Sequence, residues 1–425
     1  MNIVIDDVLI KIFKLVPSKT LFILDGVCKR FSNIIRQTKW SHTSIRLTSK
    51  SRQSTISHIV QTYNFTNLNF SWSKIKHKHI KYLTNVQNLS LAHCQNVSNA
   101  SLKYLTGLKS LNINYCDRIT NKGIIKYLTN LQSMELQEVN ISDKSLMHLT
   151  NLRTLNLNDC PKITDAGIKY LSNITDLHLR NCNKITDSGV KYLGGAFELN
   201  LGRCYNITNA SLPFLQNVHT LNLSFCDITD DGLQYLSQIS DLKLDNCNKI
   251  TDDGIKYLVG VTRLSLNHCN NVTGTNLTQL VNLRDLNLWD NSITNEKVRL
   301  LSHLNKLELC SCRNVTDKSV KYLGNVDSLT LCMCTKVTDE GIKYLTNVHS
   351  LDLNACVLVT DQGIQNLTNI ECLCLRMCNK VTDDGIKYLT NLVRLDVRQC
   401  PKVTIHDKVQ LTHLKKLKIY ITGND

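Results

Sequence analysis

Residues 152–173 read LRTLNLNDCPKITDAGIKYLSN. Leu152, Leu155 and Leu157 are followed by Cys160, and a second apolar set, Ile163, Ile168 and Leu171, closes the stretch. The same order returns as LRNCNKITDSGVKYLGG (179–195), LDNCNKITDDGIKYLVG (244–260) and LRMCNKVTDDGIKYLTN (375–391). Aligned on L-x-x-L-x-L-x-x-C, the chain shows sixteen starts from Phe65 to Leu392, spaced 21 to 23 residues apart, with a partial copy from Leu414. A period of that length marks an array of stacked units rather than a string of globular domains.

Each unit has two halves. In ITDLHLRNC (174–182), Leu177 and Leu179 alternate with His178 and Arg180, the period of a short strand with one buried face. In KITDSGVKYL (184–193), Ile185 turns inward, Thr186 or Asp187 serves as helix N-cap, and Val190 and Leu193 follow at helical spacing. One unit buries too few aliphatic side chains to stand alone, so the units must stack. The expected fold is α/β: a leucine-rich-repeat solenoid, a parallel-strand horseshoe of about sixteen repeats of 21–23 residues.

The chain of 425 residues carries a net charge of +15 that is unevenly spread. Residues 1–84 hold 14 Lys/Arg against three Asp, so a basic partner surface, if present, is N-terminal. No apolar run reaches the roughly 18 residues of a membrane span, and MNIVIDDVLIKIF carries acids where a signal peptide wants bases. A soluble protein of the reducing cytoplasm or nucleus is expected, with no membrane partner.

Eighteen cysteines in such a chain read as reduced thiols. Thirteen share one register, from Cys94 and Cys116 to Cys378 and Cys400, with Val139 and Asn291 filling it in two other repeats. A cysteine there is a small buried hydrophobe with a weak S–H donor. One thiol per repeat cannot converge on zinc, so no metal and no cofactor is expected. Cys310, Cys332 and Cys374 fall at outward strand positions, either as ordinary exposed thiols or as a reactive or metal-binding patch.

The pattern L-x-x-L-x-L-x-x-C-x-x-[IV]-T-D-x-G-[IL]-x-x-L resembles the cysteine-containing class of leucine-rich repeats, best known from F-box proteins that recruit substrates to SCF ubiquitin ligases. Upstream, IVIDDVLIKIFKLVPSKTLFILDGVCKRFSNIIRQTKWSHTSIRL (3–47) resembles an F-box. The matching pieces are Asp6 and Asp7 before a helix, then Val8, Ile12, Phe13, Val16 and Pro17, then Leu21, Val27, Cys28 and Phe31, and Trp40 before a strand. The family usually opens with Leu-Pro, where this chain has Val4-Ile5. The organisation expected is an F-box-like helical domain at 1–46, a junction or irregular first repeat at 47–64, and repeats with a C-terminal cap at 65–425.

From the residues alone, the N-terminal segment holds helices over 8–16, 20–27 and 28–38, the first ended by Pro17, with Ser18 or Thr20 capping the second and Cys28 packed inside. The resemblance implies that Val8, Ile12, Phe13, Val16, Pro17, Leu21, Val27 and Cys28 bind an acidic Skp-type linker subunit and, through it, a cullin. The alternative is a plain helical cap for the array.

A target protein belongs on the concave face, where residues beside the inward leucines vary freely. Aromatic and arginine side chains enrich interface hot spots, which selects Tyr115, Arg180, Arg203, Phe225, His268, Trp289, Arg376 and Arg398, Phe225 and Trp289 above all. The mixed charge of that face argues against nucleic acid. The recurrent Lys of IKYL forms an outer basic column, read as a solvated ladder. No phosphate loop, nucleophile elbow or zinc spacing occurs, so a non-enzymatic role is expected: a ligase substrate receptor, or else a binding scaffold or inhibitor without a ligase link.

Overall fold

The computed structural model describes residues 2–47, 50–404 and 418–420. They fall into two compact units, Met1–Asn206 and Ile207–Asp425. Of the partial copy that starts at Leu414, only the strand Lys418–Tyr420 lies among the described residues.

The first unit opens with α1 (Asn2–Leu15), α2 (Ser18–Asp25) and α3 (Lys29–Gln37). Pro17 separates α1 from α2 and itself sits at the N-cap of α2, where its carbonyl accepts the amides of Thr20 (2.9 Å) and Leu21 (3.3 Å). Neither Ser18 nor Thr20 caps by its side chain, because the proline already supplies the entry angle. Phe13 and Leu21 fill the inside with Ile34 and Ile35, Phe13 meeting Phe31 edge-on at 5.1 Å. Asp6 pairs with Arg30 at 2.7 Å across α1 and α3.

Trp40 is the first residue of strand β1 (Trp40–Arg46), not a residue before it. Its ring is buried and its Nε1–H donates to the Ile35 carbonyl at 2.8 Å. β1 runs parallel to β2 (Phe65–Asn69), with Ile45 opposite Leu68 and an irregularity between Trp40 and Ser44. Helix α4 (Gln53–Thr62) buries Ile56, Ile59 and Val60 and completes this rung. The sheet therefore begins within residues 1–46, with the strand that the sequence places beside Trp40, and the junction at 47–64 supplies the helix of that irregular first rung.

A polar knot ties the helices to the sheet. Arg36 grips Asp25 with two bonds of 3.0 Å, and the Tyr63 hydroxyl donates to Asp25 Oδ2 at 2.9 Å. Around it, Phe22 lies edge-on to Tyr63 at 5.3 Å and to Phe65 at 6.1 Å. The Arg36 bonds hold the Asp25 carboxyl below its usual range, and burial pushes the Tyr63 phenol up to about 12.

Beyond β2, from Asn88–Ser90 to Arg394–Asp396, each rung adds one three-residue parallel strand with its middle residue buried. Leu155 pairs with Leu177 and Leu177 with Leu199 in the first unit, and Leu242, Leu264 and Leu286 line up the same way in the second. After most of the strands the chain turns and enters a helix of about one turn, such as Asp187–Val190. Thr186 is the N-cap, its Oγ1 accepting the Ser188 amide at 3.2 Å.

The Asp of each TD pair is not the cap. Asp165 reaches the following repeat, accepting Thr186 N–H (2.8 Å) and Thr186 Oγ1–H (2.6 Å), so one helix start fastens the next. The same bridge runs from Asp143 to Thr164, and in the second unit from Asp317 to Thr338 and Asp339 to Thr360. It also explains the glycine of TDxG: a Cβ on Gly189 would collide with Asp165 Oδ1.

The cysteine column is as expected, buried, and it has a definite task. Cys182 donates its S–H to the Leu157 carbonyl at 3.1 Å, and the same bond to the previous repeat's second leucine recurs at Cys116 (3.2 Å), Cys269 (3.1 Å) and Cys356 (3.1 Å). Asn291, in that register, instead donates Nδ2–H to the Cys269 carbonyl at 2.9 Å. Desolvation pushes the column thiols up, Cys116 to about 12 and Cys160 to about 11, so they are neutral and unreactive at ordinary pH.

Candidate functional site

Two surfaces carry side chains that the core does not use. The first is on the helical unit. Val8, Ile12 and Leu15 follow one stripe of α1 at i, i+4 and i+7, and they are 50%, 49% and 86% exposed. Ile23 on α2 and Val27 after it are 69% and 60% exposed. Isolated exposed aliphatics are ordinary, whereas these are five within twenty residues of a small unit.

The eight N-terminal residues assigned to a partner thus divide. Val8, Ile12, Pro17, Val27 and Cys28 are exposed and Val16 is half-buried, whereas Phe13 and Leu21 are interior. Phe13 and Leu21 act on any partner only by holding the helices together, and Leu15 and Ile23 take their place on the outside. Cys28 is not packed within a helix either. It is the N-cap of α3, exposed, with its Sγ accepting the Phe31 amide at 3.5 Å.

The second surface follows the strands of the repeats, and it has a feature that side-chain pattern does not reveal. The residue just before the cysteine column has a positive φ in all sixteen repeats: Trp72, His93, Tyr115, Glu138, Asp159, Asn181 and Arg203 in the first unit, Phe225 through Gln399 in the second. None is glycine, and each such residue costs of order 1 kcal/mol. The conformation persists because it aims the backbone N–H at the next rung: Tyr115 N–H donates to the Gln137 carbonyl at 2.9 Å, and Met333 N–H to the Asn354 carbonyl at 2.8 Å. The outcome is a line of side chains at rung spacing, each thrown clear of the core.

In the first unit this line begins with stacked rings. Trp72 lies on His93 at 3.6 Å with 14° between planes, and His93 on Tyr115 at 4.1 Å with 13°. Trp72 is 58% exposed, so the stack ends in a free aromatic face. Arg203 lies further along the same line, while Arg180 is exposed one register earlier. In the second unit Phe225 and His268 occupy the positive-φ line, and His268 meets Asp290 at 3.2 Å. Trp289, Arg376 and Arg398 are exposed one register earlier, Arg398 clamped to Asp396 and Arg376 donating to Gln399 Oε1 at 3.1 Å. The candidate residues thus belong to two parallel registers rather than one.

The same unit holds a cleft of about 340 Å³ across the strands, lined by alternating charges that include Asp241, Arg263, Asp285 and Lys306. Arg263 pairs with Asp241 at 2.8 Å and Lys306 with Glu308 at 2.5 Å, so the cleft is close to neutral. On the outer side the IKYL lysines are not simply solvated: Lys169 lies 5.0 Å from the Tyr170 ring centre and Lys256 5.1 Å from that of Tyr257, a cation–π pair repeated along the array. Among the described residues no three His, Cys, Asp or Glu side chains converge as metal ligands, and no helix is long and apolar enough to cross a membrane.

Comparison with known proteins agrees with this architecture. The family model described as Leucine Rich repeat matches residues 106–126, 148–172, 170–194 and 214–237. No curated protein matches the sequence. Among solved structures, TLR13 in its complex with ssRNA13 is similar at a TM-score of 0.54 and 22% identity, over 90% of this chain and 63% of that one. This chain therefore spans less than two thirds of the TLR13 length. A leucine-rich-repeat protein of Leptospira interrogans gives 0.51 and 20%, covering 88% of this chain and 100% of that chain. The yeast Rad7 and Elc1 complex gives 0.49 and 19%, over 81% and 83%. At these identities the likeness concerns the fold, and the repeated units of this chain are leucine-rich repeats.

Proposed function

We propose that the chain is the substrate-recognition subunit of an SCF-type ubiquitin ligase, its helical unit binding a Skp-type linker and thereby a cullin, its repeats holding a target protein. The observation that carries the reading is the apolar stripe Val8, Ile12 and Leu15, with Ile23 and Val27, on a helical segment whose sequence resembles an F-box. Covering those side chains would supply the hydrophobic centre of an interface. The basic balance of residues 1–64, ten Lys/Arg against three Asp, suits the acidic partner that the resemblance implies, chiefly through association rate and specificity.

On the repeats, the stack Trp72, His93 and Tyr115 and the exposed Trp289 offer large rigid rings at low entropic cost, the usual anchors of a protein interface. Ubiquitin transfer would gain from proximity, the receptor supplying no reacting group. Co-purification of the full chain with a Skp-type subunit tests the first half. Ile12→Asp combined with Leu15→Asp abolishes capture while the far-ultraviolet dichroism stays unchanged. Undiminished capture by that folded double variant would overturn the reading and leave a repeat scaffold without a ligase link.

A further inference from the structure

Five of the eighteen cysteines lie outside the architectural column. One is Cys28, and the other four, Cys310, Cys332, Cys372 and Cys374, fall within 65 residues of the second unit, all half-buried. Two of them are neighbours. Glu308 pairs with Thr330 in parallel strands, and beyond that pair Leu309 N–H donates to the Thr330 carbonyl and Ser311 N–H to the Cys332 carbonyl, both at 2.8 Å. Cys310 and Cys332 therefore stand side by side on adjacent rungs, with both backbones pinned.

In other repeats this register holds Asn, as at Asn158, whose Oδ1 accepts the next rung's Arg180 amide at 2.8 Å. The rung after Cys332 has Asn354, but its amide is turned the other way: Nδ2–H donates to Cys332 Sγ at 3.2 Å, and Oδ1 is buried without a partner. Met333, 53% exposed, adds a thioether next to Cys332, its sulfur contacted by Ser311 Oγ–H at 3.7 Å.

We propose that Cys310 and Cys332 form a two-thiol site for a soft monovalent cation, of which copper(I) is the biological example. Thiolate and thioether ligands suit copper(I), as they also suit zinc and iron–sulfur clusters, and the number of donors decides among them. A tetrahedral zinc site needs three or four converging donors, which this face does not supply among the described residues. Two in-register side chains on strands about 4.8 Å apart suit two-coordinate binding. A disulfide needs Cβ atoms about 3.8 Å apart, which the pinned backbones resist. Binding exchanges two thiol protons for one cation, leaving the bis-thiolate complex with one negative charge, so affinity rises with pH.

The test is an anaerobic titration of the full reduced chain with copper(I) against a chromogenic bis-chelator, with dichroism recorded throughout. The wild type withdraws one tightly held equivalent, more strongly at pH 8 than at pH 6. Cys310→Ser and Cys332→Ser each lose it, and Asn354→Ala weakens it about tenfold, the scale of an outer-shell ligand contact. Cys372→Ser combined with Cys374→Ser keeps it. The proposal is overturned if the folded wild type takes up no copper, if uptake survives Cys310→Ser with Cys332→Ser, or if the pair oxidises to a disulfide that air forms and copper(I) does not compete with.

Discussion

The helical unit and the repeats handle apolar side chains in opposite ways. In the repeats the leucine, isoleucine and cysteine columns are buried, and of the aliphatic residues left outside most, such as Val281 and Leu300, stand singly, Val357 and Leu358 being an adjacent pair. In residues 8–27 the apolar set is split, Phe13 and Leu21 inside and Val8, Ile12, Leu15, Ile23 and Val27 outside. The repeats solve burial internally, because each rung covers its neighbour. The helical unit has too little chain to cover both sides, and what it leaves open is what a partner would close.

Substitutions on the two sides of α1 put that contrast to its hardest test. Phe13→Ala removes an interior ring in edge contact with Phe31 and is expected to destabilise the helical unit by about 3–5 kcal/mol. Leu15→Ala, two residues on and facing the other side of the helix at 86% exposed, changes stability by less than about 0.5 kcal/mol while weakening partner capture. Denaturant melts of the two variants decide the matter. Equal losses would mean that α1 has no outside face and that the contrast fails.

The cysteines allow a second, smaller comparison. Cys182 is fully buried and donates to the Leu157 carbonyl, so Cys182→Ala leaves an acceptor unpaired and a small void, a loss of about 1–3 kcal/mol. Cys28→Ala removes only a long sulfur contact at an exposed helix cap and should cost well under 1 kcal/mol. Thiol labelling separates them independently: Cys28 reacts in the native protein, and the desolvated column does not until unfolding.

The seam where the helices meet the sheet responds to pH at both ends. Asp25 is depressed, so its contribution is present above the ordinary carboxylate value of 3.8 and fades as pH falls through the lower folded value. Tyr63 is raised to about 12, so its contribution is present below the ordinary 10.0 and fades as pH climbs toward 12. Stability of the first unit should therefore be flat between about pH 4 and 10 with respect to this knot and fall on either side. Tyr63→Phe removes the alkaline limb and spares most of the acid one, since Arg36 still holds Asp25.

The rungs were legible because one leucine period fixes strand, turn and helix together, and Ile185, Val190 and Leu193 are all buried where that period puts them. The two sides of α1 were not, since Ile12 and Phe13 are equally apolar neighbours and only packing against Phe31 tells them apart. Asp187 read as an N-cap candidate beside Thr186 because the bond that such an aspartate makes, as Asp165 makes with Thr186, reaches one repeat away. Cys372 escaped notice among the outward thiols because its register holds Ser350 and Arg394 in the flanking strands, with no cysteine to mark it. The positive-φ line was hidden most completely. Trp72 and Phe225 have no local preference for that conformation, and the cause is a backbone bond to the neighbouring rung.

That line makes the finest prediction, a stabilising one. Ala355 sits at φ 58° with its N–H bound to the Arg376 carbonyl at 2.8 Å, and its methyl gives the line nothing but strain. Ala355→Gly removes a cost of about 1–2 kcal/mol for the left-handed backbone and adds about 0.5–1 kcal/mol of unfolded-chain entropy. A net gain of about 0.5–1 kcal/mol is expected in a denaturant melt of the full chain. At Phe225 or Trp72 the same replacement gains similarly in backbone strain but removes a ring from the line, so target binding falls as stability rises. Parallel measurement of both quantities in Ala355→Gly and Trp72→Gly would show whether the repeats hold this strained register for the sake of the side chains it displays. If both variants lose stability, the strain is illusory and the conformation belongs to the turn itself.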